Sequence, residues 1–284
     1  MAALPALSGW EASSHSLHAA AQLLGAMRRL VRERVPNYLE LAMRIEPTGL
    51  STDTLPGGGT VRLDFGQAAL VYTPPQGAPV SIPFARHSQA SLFETLLETM
   101  AARGQVLALP SCGERYVAAL LAALEARGHP FKPKPGELTN DAPLMVDPRV
   151  SGQYMDALYR IFTAVARFRA RLTGPMTPIV VWPEHFDLSF LWFATGKATD
   201  AFPHMNFGFA PFDAETERPY LYAYAYPMPD ACERLPLPTR AHWHTSGWRG
   251  ALVPYDALTE AEHPEAEIEA ICAAIYDVLS PTLR

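Results

Sequence analysis

Apolar residues recur every three or four positions in five stretches of the chain, which is the spacing of an amphipathic helix. Ser13 or Ser14 can cap the first of these helices, and Pro36 ends its pattern. Glycines at 104 and 128 and the pair Gly174-Pro175 terminate later ones. The five helices are predicted at about 13–36, 92–104, 117–128, 158–174 and 268–279.

Between the helices the pattern shifts to alternation of apolar and polar residues, which predicts strands. The first group of strands is expected at 38–46, 60–65 and 68–73, and the second at 178–182, 185–193, 205–210, 219–226 and 241–253. The segment 219–226 has the most regular alternation, with four tyrosines facing one way and Leu221, Ala223 and Ala225 the other. Both groups are typical of antiparallel meanders.

The order helix, strands, helix therefore occurs twice. Residues 129–149 hold five prolines and little periodicity, which indicates a connector. We predict an α+β protein of two similar helix–antiparallel-meander–helix halves, 1–128 and 150–284, with 129–149 between them. The recurrence suggests an internal duplication, and the two sheets are expected to pack together or join, with helices covering one face.

Composition narrows the class of protein. The chain has 284 residues, 49% of them hydrophobic, and a net charge of −6, so it can bury a full core and has no basic footprint for nucleic acid. No long apolar run or basic leader is present, which predicts a protein that neither crosses a membrane nor is secreted. Three scattered cysteines favour a reducing cytoplasm. Oligomeric state is left open.

The densest chemistry lies in Trp-Pro-Glu-His-Phe-Asp at 182–187. If 185–193 is a strand, His185 and Asp187 share one face, with an apolar Phe186–Trp192 face behind them. A carboxylate at that spacing can orient an imidazole for proton transfer. Glu184 follows a proline in a bend. The alternative is that His185 and Asp187 only stabilise the end of a strand.

Histidines also lie on the neighbouring predicted strands: His204 with Asn206, and the pair His242 and His244. With His185, and with Asp187 or Glu184 as a further ligand, they could form a divalent metal site. No diagnostic metal motif is present, so surface or core histidines are the alternative.

Three further features of the sequence each allow two interpretations. His15, His18, Gln22 and Arg29 share one arc of the first helix, which is either a solvated face or a face turned toward His185. The tyrosine strand is either packed under a helix or the aromatic wall of a ligand cavity. Cys112 precedes a predicted helix, where it is a thiolate candidate or a buried, inert thiol. Dinucleotide, P-loop and α/β-hydrolase signatures are absent.

Several of these segments together resemble a bacterial family of uncharacterised proteins, a domain of unknown function. The family combines Trp-Pro-Glu-His-Phe-Asp-Leu, found here at 182–188, with Asn-aromatic-Gly-x-Ser-Pro-Gly-Asp and Pro-Tyr-Leu-Tyr, which correspond to 206–213 and 219–222. Its Thr-Leu-His…Gln segment is similar to the region from Ser16 to Gln22. Ala210 and Phe212 depart from the family's serine and glycine, which puts a role for Asp213 in doubt.

The resemblance implies that five residues should be tested together as one candidate site: His18, Glu184, His185, Asp187 and Asn206. Our leading hypothesis is a cytoplasmic small-molecule enzyme with an acid/base or metal-assisted site, in which these five are catalytic and His185, His204 and Asp187 are the metal candidates. A non-catalytic module that binds a small ligand in an aromatic cavity is the second hypothesis. A structural or partner-binding protein is the third.

Overall fold

The structure is a computed structural model that describes residues 3–105, 113–128, 137–213 and 215–283. Its chain forms two compact units. The N-terminal unit comprises Gly9–Met155 and Trp182–His185, and the C-terminal unit comprises Met1–Ser8, Asp156–Val181 and Phe186–Arg284. Helices and two antiparallel sheets confirm the predicted α+β class. The duplication and the halves 1–128 and 150–284 stay predictions.

The N-terminal unit contains a five-stranded antiparallel meander, with each strand paired to the next along the chain. Its strands are β1 (Arg44–Glu46), β2 (Gly49–Ser51), β3 (Thr60–Asp64), β4 (Ala69–Thr73) and β5 (Val80–Pro83). Helices α1 (Trp10–Val31) and α2 (Gln89–Ala101) both contact this sheet, and α3 (Gly113–Ala126) contacts α1. Ser88 and Ser91 form a reciprocal capping box at the start of α2.

Helix α1 differs from the prediction at both ends. It begins at Trp10 after Gly9, whose φ of 79° is left-handed, and neither Ser13 nor Ser14 caps it. Trp10 stacks on Tyr154 at 3.8 Å between ring centroids. Burial of the Trp10 ring stabilises the first turn of the helix, ahead of Ser13. The helix ends at Val31, before Pro36, because Arg32 is already extended.

The strand predicted at 38–46 is mostly wrong, since only Arg44–Glu46 is extended. Pro36–Tyr38 is a 3₁₀ turn in which Asn37 and Tyr38 have φ values of 60° and 55°. Left-handed residues redirect the backbone, so an apolar run that follows them cannot continue as one strand.

The C-terminal unit contains a six-stranded antiparallel sheet in the order β10-β11-β9-β8-β7-β6. Helix α4 (Pro148–Arg169) precedes it in sequence, and its residues are divided between the two units at Met155. The strands are β6 (Val180–Trp182), β7 (Asp187–Phe193), β8 (His204–Ala210), β9 (Tyr220–Tyr226), β10 (His242–His244) and β11 (Gly250–Pro254), and helices α5 (Tyr255–Thr259) and α6 (Pro264–Leu279) follow. The single strand predicted at 241–253 is two, because Gly247 turns the chain at a φ of 73°.

One face of this sheet is an aromatic core. Phe190 and Phe207 stack at 5.5 Å, and Phe168 of α4 meets Phe207 edge-on at 4.9 Å. Tyr276 of α6 meets Trp192 edge-on at 5.0 Å. This confirms the apolar face predicted for 186–192 from Leu188 onward and leaves the opposite face for polar residues. Within the described residues, no helix is long and apolar enough to cross a membrane.

Candidate functional site

The segment predicted to carry the chemistry is a turn followed by a strand. Residues 183–186 form the turn, Phe186 has a φ of 58°, and β7 begins at Asp187. The prediction that His185 and Asp187 share a strand face is therefore wrong, because alternation starts only after the left-handed Phe186. His185 is exposed in the turn, whereas the Asp187 side chain is only 7% exposed.

Helix α1 holds this turn by a stripe of residues spaced one or two helical turns apart. His18 Nε2 lies 3.0 Å from the backbone carbonyl oxygen of Glu184, which can only accept, so the imidazole donates. Gly25 leaves room for the Pro183 ring, whose Cγ would lie 2.5 Å from an added Cβ. Arg29 Nη2 donates to Glu184 Oε1 at 2.7 Å. These contacts fix the direction of the Glu184 side chain.

Burial has the largest effect on the pKa values of both His18 and Glu184. Desolvation lowers the pKa of His18 to about 4, against the opposing hydrogen bond to the Glu184 carbonyl, so the ring is neutral near pH 7. Desolvation also raises the pKa of Glu184, and the nearby Arg29 guanidinium opposes that rise. His18 thus acts as a neutral donor that positions the turn.

A shallow cleft lies beside the turn, lined by Gln22, Ala26, Arg29, Glu137, Pro183 and Glu184. Its one guanidinium, Arg29, is already bonded to Glu184, and Gln22 accepts from Gln89 at 3.3 Å. The stripe predicted on the first helix therefore does face Glu184, and His15 at its N-terminal end is exposed. These polar groups mainly satisfy one another, which is the behaviour of a structural contact.

The second candidate is the face of the six-stranded sheet opposite its aromatic core. Strand register brings Asn206 opposite Tyr224, Gly208 opposite Tyr222 and His204 opposite Tyr226. We name this surface the tyrosine face. Its positions are Asp187, Ser189, Leu191 and Phe193 of β7; His204, Asn206, Gly208 and Ala210 of β8; Tyr220, Tyr222, Tyr224 and Tyr226 of β9; Gly250, Leu252 and Pro254 of β11; and His242 and His244 of β10.

Two tyrosines at the centre of the tyrosine face are bonded to polar residues of neighbouring strands. The Tyr222 hydroxyl donates a short hydrogen bond to Asp187 Oδ2. Asn206 Nδ2 donates to the Tyr224 hydroxyl at 3.0 Å. The two phenol rings stack with centroids 6.2 Å apart and planes 8° apart. Carboxylate, amide and two parallel rings are thus held together by side chains from three strands.

Asp213 anchors one end of the face. Its Oδ1 accepts from the backbone N–H groups of Glu215 and Thr216 at 2.8 and 2.7 Å, and its Oδ2 accepts from Tyr220 at 2.7 Å and from Trp248 at 3.2 Å. Burial alone would raise the pKa of Asp213, but these hydrogen bonds outweigh it and lower the pKa. Asp213 therefore shapes the turn and orients Trp248, although Ala210 and Phe212 depart from the family motif.

The phenols of Tyr220, Tyr222 and Tyr224 are protonated near neutral pH. Desolvation is the largest cause that raises the pKa of Tyr222 and of Tyr224 above 10, and the charge of Asp187 adds to it for both. The pKa of Tyr220 is raised in the same way, by burial and then by its bond to Asp213. None of these three phenols is available as a base near neutral pH, which leaves Asp187 as the proton acceptor among Asp187, Asn206, Tyr222 and Tyr224.

The predicted histidines do not assemble a metal centre. Within the described ranges, no three His, Cys, Asp or Glu side chains are placed to hold a metal ion. His204 Nδ1 lies 2.7 Å from the carbonyl of Phe202, and its ring stacks on Tyr226 at 5.3 Å. The His244 ring lies against Trp248 with centroids 4.5 Å apart and planes tilted by 30°, and His242 is exposed. Cys112 lies outside the described residues.

Sequence reasoning missed the residues that pack this face. A Cβ at Gly208 would collide with the ring of Tyr222 and lie 2.6 Å from the Leu188 carbonyl oxygen. A Cβ at Gly250 would lie 2.6 Å from the Trp248 ring. Glycine inside a strand often marks close approach by another group, so both positions carried a usable signal. The strand predicted around Tyr222 was correct. The pairing of Tyr222 with Asp187, however, can be found only from the register of the strands.

The predicted residues are thus divided between the two units. His18 and Glu184 meet in the N-terminal unit with His185 nearby, and Asp187, Asn206 and His204 lie on the tyrosine face of the C-terminal unit. Residues 2–282 match the model of a Family of unknown function (DUF5996). No curated protein and no solved structure matches the chain.

Proposed function

The chain belongs to a family of unknown function, DUF5996, so family membership supplies no activity, and we propose from the site itself that this is a small-molecule-binding protein whose ligand lies on the tyrosine face. One observation carries the proposal: parallel Tyr222 and Tyr224 rings flanked by a buried carboxylate and a buried amide. Ligand sites combine aromatic walls with a few convergent polar groups, and this face has both.

The burial of these side chains also supports a ligand site on the tyrosine face. Asp187 and Asn206 are 7% and 8% exposed, whereas Tyr222, Tyr224 and Trp248 are half-buried. Polar groups at the base and half-exposed rings above them can orient a ligand while the rings supply contact area. Tyr226, at 51% exposed, extends the aromatic surface toward solvent.

Saturation-transfer NMR of the full chain against a library of small aromatic and amine-bearing fragments tests this proposal. We expect a subset to bind, and we expect the double variant Tyr222→Ala/Tyr224→Ala to lose most of that binding. Tyr276→Phe is the control, because Tyr276 contacts Phe168 and Trp192 on the opposite face. If the double variant is folded by circular dichroism and still binds the same fragments, the proposal is wrong.

An acid–base enzyme is the second candidate function. It is favoured by the direct hydrogen bond from the Tyr222 hydroxyl to Asp187, a nearly buried carboxylate that could accept a substrate proton. In this role the Asp187–Tyr222 pair takes the place of the predicted Asp187–His185 pair. Asp187→Asn, assayed at ligand concentrations that saturate the variant, should abolish conversion of any bound ligand that changes over hours by NMR. Equal conversion by Asp187→Asn would exclude this role.

A further inference from the structure

The charge on the tyrosine face is one-sided. Its strand positions include the carboxylate of Asp187 and no lysine or arginine. The remaining titratable side chains at these positions are histidines and tyrosines. Asp213 places a second carboxylate beside Tyr220 and Trp248. An anionic ligand would therefore meet negative charge without a permanent positive partner.

Two arginines that flank these strands, Arg218 before β9 and Arg249 before β11, are bonded to groups outside the tyrosine face. Arg218 donates to Asp256 and to the backbone carbonyls of Ala6 and Leu7. Arg249 donates to Glu233 at 2.8 Å and to the Asp230 carbonyl at 3.0 Å. Turning either guanidinium toward the tyrosine face would break its ion pair with a carboxylate.

The aromatic groups suit a positive ligand. Trp248 meets Tyr222 edge-on at 5.9 Å and lies nearly parallel to Tyr220 at 6.1 Å. With the Tyr222–Tyr224 pair these rings present π faces and edges around one region of the sheet. The negative π face of tyrosine or tryptophan attracts ammonium and guanidinium groups.

A buried acceptor without a hydrogen-bond donor gives independent evidence about the chemistry of the ligand. Asn206 Nδ2 donates to Tyr224, but within the described part of the chain Asn206 Oδ1 is buried and has no hydrogen-bond partner. A buried amide oxygen without a donor loses the hydrogen bonds that it makes with water in the unfolded chain. The ligand group that would satisfy it is an N–H or O–H donor.

We infer that the ligand of the tyrosine face is an organic cation, an ammonium or guanidinium compound whose charge lies over the Tyr222 and Trp248 rings and whose N–H donates to Asn206 Oδ1. The inference rests on the proposed ligand site and adds the chemical class. It follows from four features of the described residues: carboxylates, the lack of cations on the face, π surfaces and an acceptor without a donor.

A matched set of three probes tests the charge: benzylamine, benzyl alcohol and benzoate at pH 7, each titrated into the full chain. The readout is the Trp248 indole N–H resonance with the backbone amide shifts of β8 and β9. We expect saturable binding of protonated benzylamine and at least about tenfold weaker binding of the other two. Tyr276→Phe should bind benzylamine like the natural chain.

Two variants test the acceptor. Asn206→Leu should weaken benzylamine binding by about tenfold, which corresponds to one lost hydrogen bond. Asn206→Asp keeps the shape and adds a charge, so it should tighten benzylamine binding and remains informative if the leucine variant fails to fold. Benzoate or benzyl alcohol binding to the same residues as tightly as benzylamine would overturn the cation inference and leave the ligand site standing. If none of the three probes shifts these resonances, the cation inference is wrong, and the fragment screen decides separately whether the ligand site stands.

Discussion

At the scale of single residues, His18 shows how a polar side chain on a helix can be structural. Its ring donates to the Glu184 carbonyl, and burial keeps it neutral. The sequence alone allows either a solvated helix face or a catalytic role for this residue. The structure favours a third use, in which an imidazole holds the backbone of a turn from another segment of the same unit.

This use of His18 makes stability depend on pH. The unfolded chain protonates the ring below about pH 6.5, whereas the folded chain does so only near the lowered pKa of about 4. Stability from this group is therefore complete above pH 6.5 and decreases as pH falls toward 4, by up to about 3 kcal/mol.

Urea unfolding at pH 7, 5.5 and 4.5 measures this dependence in the natural chain and in His18→Gln, which retains an N–H donor but cannot titrate. The difference in stability between the two proteins should shrink or reverse as pH falls. A constant difference across the three pH values would contradict the lowered pKa.

Gly208 is a second residue whose role is set by a neighbour. Its missing side chain is the space that the Tyr222 ring occupies. Gly208→Ala should force Tyr222 off its site and lower stability by about 1–3 kcal/mol, seen as a lower Tm. Gly196→Ala is the matched control, since nothing lies within 4 Å of its added Cβ. Equal Tm values for the two variants would show that Tyr222 does not depend on Gly208.

At the scale of elements, the turn at 183–186 is joined to helix α1 by the Arg29–Glu184 ion pair. The pair is partly buried, with side-chain exposures of 13% and 32%, so solvent screens it incompletely. We expect Arg29→Met to destabilise the protein by more than Arg29→Met/Glu184→Gln does, because the single change leaves a carboxylate of raised pKa without its guanidinium.

A double-mutant cycle in urea gives the coupling energy, which should be about 1 kcal/mol after allowance for screening. Arg44→Met serves as the control for loss of an arginine, since Arg44 is 69% exposed and lies 3.9 Å from Asp53. A coupling energy of zero would mean that the proline and His18 contacts hold the turn by themselves.

At the scale of the whole molecule, two of the three cysteines report on folding. Cys232 and Cys272 are buried, and desolvation raises the pKa of Cys272 to about 12. Thiolate is the reactive form, so both should resist a thiol reagent in the native protein. We expect at most one thiol per chain to react with Ellman's reagent before unfolding and three in denaturant. Rapid reaction of two or more native thiols would contradict this burial.

Much of the fold could be predicted from local pattern. The tyrosine alternation at 219–226 predicted β9 (Tyr220–Tyr226) to within one residue, and the apolar stripe at 268–279 predicted α6. Several errors fall where the backbone turns left-handed, at the non-glycine residues Asn37, Tyr38 and Phe186 and at Gly9 and Gly247. Such conformations depend on packing of distant residues, and a period of two or 3.6 contains no sign of them.

In the candidate site, too, some features follow from the local sequence and others only from the tertiary structure. Sequence determined which residues could carry chemistry, because side-chain type sets acidity, hydrogen bonding and π surface, and strand alternation put the four tyrosines of β9 on one face. Tertiary structure decided their partners. Strand order and register placed Asp187 with Tyr222 and Asn206 with Tyr224, and the positive φ of Phe186 separated His185 from the strand of Asp187. Pairing across strands joins residues 18 to 35 positions apart, which local periodicity cannot specify.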